Sequence, residues 1–243
     1  MWTEIAMENL KMKRTFTKKL IWLTPIATML LSALLMGGHL FKSGSYNWFY
    51  TLMLPGAIAL LCTGVVQKDS GKLRYRALLG LPVAPSRWWS AKIGASVFFL
   101  FLTFTIFFIG LSLGGYVFEG SLSLLSDAVA CLMLFLAFVW QVPLCMLVVE
   151  KLGSAAALIF SVAGNMAGVA VISTSSLWWS VPYGIASRIM IPLIGVLPNG
   201  IPVNGDDPLT DSGVVLPGVM LSLLLFAFLS MLTSYMFRKR EAV

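Results

Sequence analysis

The chain has 243 residues, of which 58% are apolar and only 11% charged, with a net charge of +7 and a mean hydropathy of +0.89. Soluble domains carry about 25% charged residues, so a water-soluble globule, a disordered chain and a disulfide scaffold are excluded. Six helices of about 20 apolar residues would use roughly half of the chain, and no mixed-composition stretch approaches the ~100 residues of a separate catalytic domain.

Residues 1–19 open the chain with an amphipathic pattern. At 100° per residue, Trp2, Ile5, Ala6, Leu10, Met12 and Phe16 share one side, opposite Glu4, Glu8, Lys11, Arg14 and Lys18. This is the pattern of a helix lying on a membrane surface. The next apolar run is long enough to span, and Glu4 and Glu8 precede the basic residues, so an uncleaved first span is expected rather than a signal peptide.

Six runs without Asp, Glu, Lys or Arg then follow, at residues 20–38, 49–66, 93–113, 128–149, 152–172 and 214–237. They predict an all-α integral membrane protein with six transmembrane helices, joined by polar segments at 42–47, 67–92, 114–127, 150–151 and 173–213. Alternate joints share the basic residues unequally. Of the 17 Lys and Arg residues, 15 fall on one side, leaving Lys42 and Arg188 on the other with Glu119, Asp127, Asp206, Asp207 and Asp211. The positive-inside rule makes the basic side cytoplasmic and places both termini there. That placement accounts for a net charge that in a soluble protein would suggest nucleic acid, and no nucleic-acid partner is expected.

Residues 181–196 are apolar enough to suggest a seventh span, but Pro182, Arg188, Pro192 and Gly195 break them into pieces shorter than ~17 residues. Short re-entrant or interfacial helices before the last span are expected instead, within an outer segment covering 173–213. Trp48, Tyr50, Trp178 and Trp179 suit the outer interface, and Trp88 and Trp89 the inner one. In the 67–92 joint, Ser70 reads as an N-cap, 72–79 as a helix, Gly80 and Pro82 as its stop, and Ser86 as the cap of the third span. The pattern fits a docking helix and a plain positive-inside loop equally.

The spans carry neither paired carboxylates nor a serine with a base, and the single histidine, His39, has no acidic neighbour, so enzymatic function is not expected. Without a midplane charge, the usual coupling device of secondary transporters is missing. Cys62, Cys131 and Cys145 lie in apolar runs as small hydrophobes, and no metal site is expected. The nearest approach to a phosphate loop, Gly64 to Lys72, has six residues between Gly64 and Gly71 and Leu73 where a Ser or Thr would hold magnesium. ATP and magnesium therefore belong on a separate ATPase chain if the protein is ATP-driven, and this chain is expected to bind no cofactor.

Three stretches carry a resemblance: the basic entry 11–19 with Arg14-Thr15-Phe16; Tyr46-Asn47-Trp48-Phe49-Tyr50 leading to Leu54-Pro55-Gly56; and Gln67-Lys68-Asp69 with Tyr75-Arg76, Leu81-Pro82 and Ala91-Lys92. With length and topology, they resemble the permease subunits of ABC-2 type exporters, and more closely the lantibiotic-immunity permeases of Gram-positive bacteria, the E subunit rather than its sister G. The resemblance covers nearly the whole chain as a single transmembrane permease domain, though none of its stretches is a catalytic signature. It implies two cytoplasmic ABC ATPase chains and a second, often non-identical permease chain, together clearing a cationic lanthionine peptide from the plasma membrane. It also implies an elbow helix at 1–19 and a coupling helix within 67–92. An ABC-2 permease for another drug or lipid-linked substrate, or a non-transporting scaffold or sensor, remains the alternative.

Three groups of residues are candidate sites. Lys72, Leu73, Arg74, Tyr75, Arg76, Leu78, Leu79 and Leu81 are expected to dock the ATPase, with basic side chains meeting acidic partners and apolar ones supplying salt-resistant contact. In the fifth span Ala157, Ser161, Gly164 and Gly168 share one face, with Asn165 nearby as an interhelical donor; this small-residue face fits subunit packing and packing within the chain alike. Outside, Asp206, Asp207 and Asp211, with Trp178 and Trp179 as apolar partners, would attract a cationic peptide, although Asn204-Gly205-Asp206-Asp207-Pro208 is also good turn chemistry.

Overall fold

The computed structural model describes residues 2–36, 38–70, 84–118, 123–203 and 207–238. Among them six helical segments are long and apolar enough to cross a membrane: Phe16–Met36, Phe41–Asp69, Pro85–Val117, Leu124–Leu152, Ser154–Ile172 and Ser212–Arg238. The protein is thus a multi-pass α-helical membrane protein, and each of the six expected spans has its counterpart. No strand forms among the described residues beyond an isolated bridge between Val196 and Pro202.

The amphipathic segment forms α1 (Trp2–Lys11), followed by span one, α2 (Phe16–Met36). Span two is composite: α3 (Phe41–Trp48), a π-helical turn at Phe49–Met53, and α4 (Leu54–Ser70). Pro55 explains the π turn just before it, because its ring nitrogen cannot donate and its ring crowds the preceding turn. The joint expected at 42–47 is therefore a correction: those residues are helical and lengthen span two at its N-terminal end.

Span three is the single helix α5 (Pro85–Val117), whose 33 residues would run about 50 Å at 1.5 Å per residue, beyond a ~30 Å hydrocarbon core. Its start also differs from expectation. Ala84 holds the cap position without a side-chain bond and Pro85 occupies the first turn, so Ser86 is already helical. Span four is broken into α6 (Leu124–Phe138) and α7 (Gln141–Leu152). Pro143 cannot donate to the Val139 carbonyl four residues back, and the Val142 N–H takes that oxygen instead at 3.1 Å.

Span five is α8 (Ser154–Ala167) running into a π turn at Gly168–Ile172. After it come a 3-10 turn (Pro182–Gly184), α9 (Ile185–Ile194), two 3-10 turns (Pro208–Thr210 and Ser212–Val214), and span six, α10 (Val215–Arg238). The expected short helix before the last span is α9. It stops at Gly195, which adopts φ 67°, open to glycine at no steric cost, and donates to the Ile191 carbonyl.

The core is aromatic where spans two and three cross. Phe49 stacks on Phe107 with ring centroids 3.8 Å apart, and meets Phe104 edge-on at 5.3 Å. Helix α9 is buried along nearly its whole length against α6, α10 and the π turn of span five, so its backbone polar groups are covered by protein. At the opposite end Trp89 stacks on Phe237 and Ser90 meets Ser234 at 3.1 Å, while α1 packs on α5. The first and last described helices thus finish at the same end of the bundle, as six crossings require.

Candidate functional site

The densest polar cluster lies at that end, where α1, α4 and α5 converge. Lys92 Nζ is fully out of water and lies 2.8 Å from Glu8 Oε2, in contact with Asp69 Oδ2, and 3.2 Å from the Val65 carbonyl oxygen. Its three donors are therefore satisfied. Lys11 closes the ring, 2.6 Å from Glu8 and 3.1 Å from Asp69. Burial pulls Lys11 toward neutrality, but the Glu8 and Asp69 carboxylates outweigh that and hold its pKa above the usual 10.5. A fourth tie joins Arg87 to Glu4 at 2.8 Å.

This cluster reverses the usual sense of an amphipathic helix. In α1 the charged side, Glu4 and Glu8, is buried against spans two and three, while Trp2, Leu10 and, past its end, Phe16 are exposed. In water that arrangement would be costly, but at a membrane surface the outward apolar side faces lipid. The same packing corrects the reading of the neighbouring aromatics as membrane anchors. Trp88 and Trp89 are buried, Trp88 under the Lys11 ammonium at 5.3 Å, and Tyr50 is enclosed in the core.

A second ion pair closes the other end of the bundle. Lys42 of α3 lies 2.5 Å from Asp127 of α6, and the Tyr46 hydroxyl donates to the Asp127 carbonyl oxygen at 3.1 Å. Charge-free windows could not have found either cluster, because each pairs groups from different helices. Between them, a reciprocal amide pair bridges spans four and five. Gln141 Nε2 donates to Asn165 Oδ1, and Asn165 Nδ2 to Gln141 Oε1, both at 3.1 Å, while Ser161 donates to the Pro55 carbonyl at 2.9 Å.

The sequence-derived candidates divide three ways. Lys72, Leu73, Arg74, Tyr75, Arg76, Leu78, Leu79 and Leu81 lie outside the described residues; in the sequence they fall between Asp69 and Arg87, two members of the ion cluster. In span five Ala157, Ser161 and Asn165 are buried within the chain. Gly164 faces the Tyr183 ring and Gly168 its backbone carbonyl, so this chain's own residues fill that face.

Of the outer carboxylates, Asp206 lies outside the described residues. Asp207 accepts from the Leu209 N–H at 2.8 Å and Asp211 from the Gly213 N–H at 2.7 Å, each capping a 3-10 turn. Trp178 packs on the core beside Gly218, whereas Trp179 is exposed. Cys62, Cys131 and Cys145 are buried free thiols, and among the described residues no three His, Cys, Asp or Glu side chains gather to hold a metal.

Fold and site together define a polytopic membrane protein with an ion-paired amphipathic helix locked across two spans at one end. No protein-family model, curated protein or solved structure matches the chain.

Proposed function

We propose that this chain is the permease subunit of an ATP-driven exporter of the ABC-2 type, which removes a lantibiotic or similar cationic antimicrobial peptide from the plasma membrane of a Gram-positive bacterium. The positive-inside rule puts the ion cluster and both termini in the cytoplasm. Two copies of a cytoplasmic ATPase supply the energy, and a second permease chain completes the path.

The Lys92 junction is the observation that carries this reading. It ties α1 to the ends of spans two and three at the foot of the basic 71–83 stretch, so a soluble partner pulling on that stretch would move two spans and the surface helix together. The 71–83 stretch carries Lys72, Arg74 and Arg76 in its sequence, basic residues suited to an acidic partner. In cells co-expressing the ATPase, Arg74→Glu with Arg76→Glu is expected to abolish its co-purification; normal assembly would overturn the reading. Substrate is tested at the outer turns. With normal membrane levels, Asp206→Asn, Asp207→Asn and Asp211→Asn together should lower tolerance to a cationic peptide at low salt, whereas unchanged tolerance would leave them as turn caps.

A further inference from the structure

An apolar groove of about 470 Å³ runs between spans three and six, and α1 closes its end nearest the termini. Its walls include Trp2, Gly94, Phe101, Phe226 and two serines, Ser90 and Ser230. From Ser90 to Phe101 it rises about 16 Å at 1.5 Å per residue, the depth of one leaflet of a ~30 Å core. Phe101 and Phe135 separate it from a smaller hollow beyond. A transmembrane helix would need a face running through both leaflets, but a single acyl chain needs only one.

Polar groups sit only where a headgroup would be. Arg87 lies one turn before Ser90 on the same face of α5, and its side chain is 57% exposed and paired with Glu4 of α1, the helix that closes this end of the groove. Glu4 engages one of its nitrogens, and a guanidinium offers five N–H donors, enough to bind a phosphate as well. Ser230 Oγ is shielded from water and has no hydrogen-bond partner among the described residues. A buried unpaired hydroxyl is costly, and a turn about χ1 would bring it into the groove, where an ester carbonyl would satisfy it.

We propose that this groove is a phospholipid site: a glycerophospholipid of the leaflet facing the termini lays one acyl chain between spans three and six, its phosphate on Arg87 and an ester carbonyl on Ser230. The site rests on the six-span membrane architecture and is independent of any ATPase partner.

The full-length protein in mild detergent is incubated with phosphatidylglycerol or with diacylglycerol, which lacks the phosphate, and bound lipid is counted by native mass spectrometry. One phosphatidylglycerol per chain should be retained, with diacylglycerol held at least tenfold more weakly. Arg87→Gln should erase that difference, while Val97→Trp and Ser230→Trp, filling the groove from opposite walls, should each abolish retention. A photoreactive phosphatidylglycerol carrying its probe on the acyl chain should label peptides 90–101 and 226–230 of the unaltered protein, a readout that needs no variant to fold. Equal retention of the two lipids by the unaltered protein, unchanged retention in both tryptophan variants, labelling spread evenly over the spans, or a second copy of the chain occupying the groove would each overturn the proposal.

Discussion

Lys42 and Asp127 meet at 2.5 Å with both side chains almost wholly out of water, joining the N-terminal starts of spans two and four. Removing one partner strands a buried charge, which costs about 3–5 kcal/mol, whereas replacing both by apolar groups of similar size is often neutral. Lys42→Met alone should therefore lower the thermal midpoint of the detergent-solubilised protein, and Lys42→Met with Asp127→Leu should restore most of the loss. An additive double variant would refute the pairing.

Lys92 holds two carboxylates from separate segments, Glu8 and Asp69. Lys92→Met leaves only the half-buried Lys11 between them and should loosen α1, seen as faster hydrogen exchange over residues 2–11 with little change in span five. Lys11 carries the opposite check. Its pKa is raised, so its contribution is complete below about 10.5 and fades only as pH climbs through the higher folded value. Exchange protection of α1, corrected for intrinsic rates, should therefore stay flat between pH 6 and 9.

Two glycines separate close packing from simple helix propensity. A Cβ at Gly168 would run into the Tyr183 backbone, which has no flexible end to move aside, whereas a Cβ at Gly56 would meet nothing nearer than Val162 at 3.8 Å. Gly168→Ala should cost about 1–3 kcal/mol, and Gly56→Ala should be neutral or gain up to about 1 kcal/mol. The two thermal midpoints, compared in one detergent, decide it.

Asn165 and Gln141 exchange two hydrogen bonds inside the bundle. Asn165→Leu leaves the Gln141 amide nitrogen without its partner, while Ser161 still donates to the amide oxygen, and should destabilise by about 1–3 kcal/mol. Adding Gln141→Leu should recover part of that, because the second change removes the stranded amide. If Asn165→Leu alone is neutral, the amide pair contributes nothing to the junction of spans four and five.

The six spans were legible in the sequence because crossing a membrane is a local, additive property: about 20 successive apolar residues suffice, whatever lies around them. Pro182 and Gly195 likewise foretold the short helix α9 that lies between them, although Pro192, expected to break the run, sits inside that helix. What the tertiary structure alone decided is which groups meet. Lys42 and Asp127 read as loop charges, and Lys92 as the end of a basic joint, because a hydropathy run ends at the first charge; each is tolerated inside the bundle by a partner brought from a different helix. The orientation of α1 follows the same physics. Its periodicity marked a charged side and an apolar side, but that the charged side turns inward was fixed by Asp69, Arg87 and Lys92, residues far along the chain that pair with Lys11, Glu4 and Glu8; Lys92 above all is wholly buried, and a buried charge needs such partners.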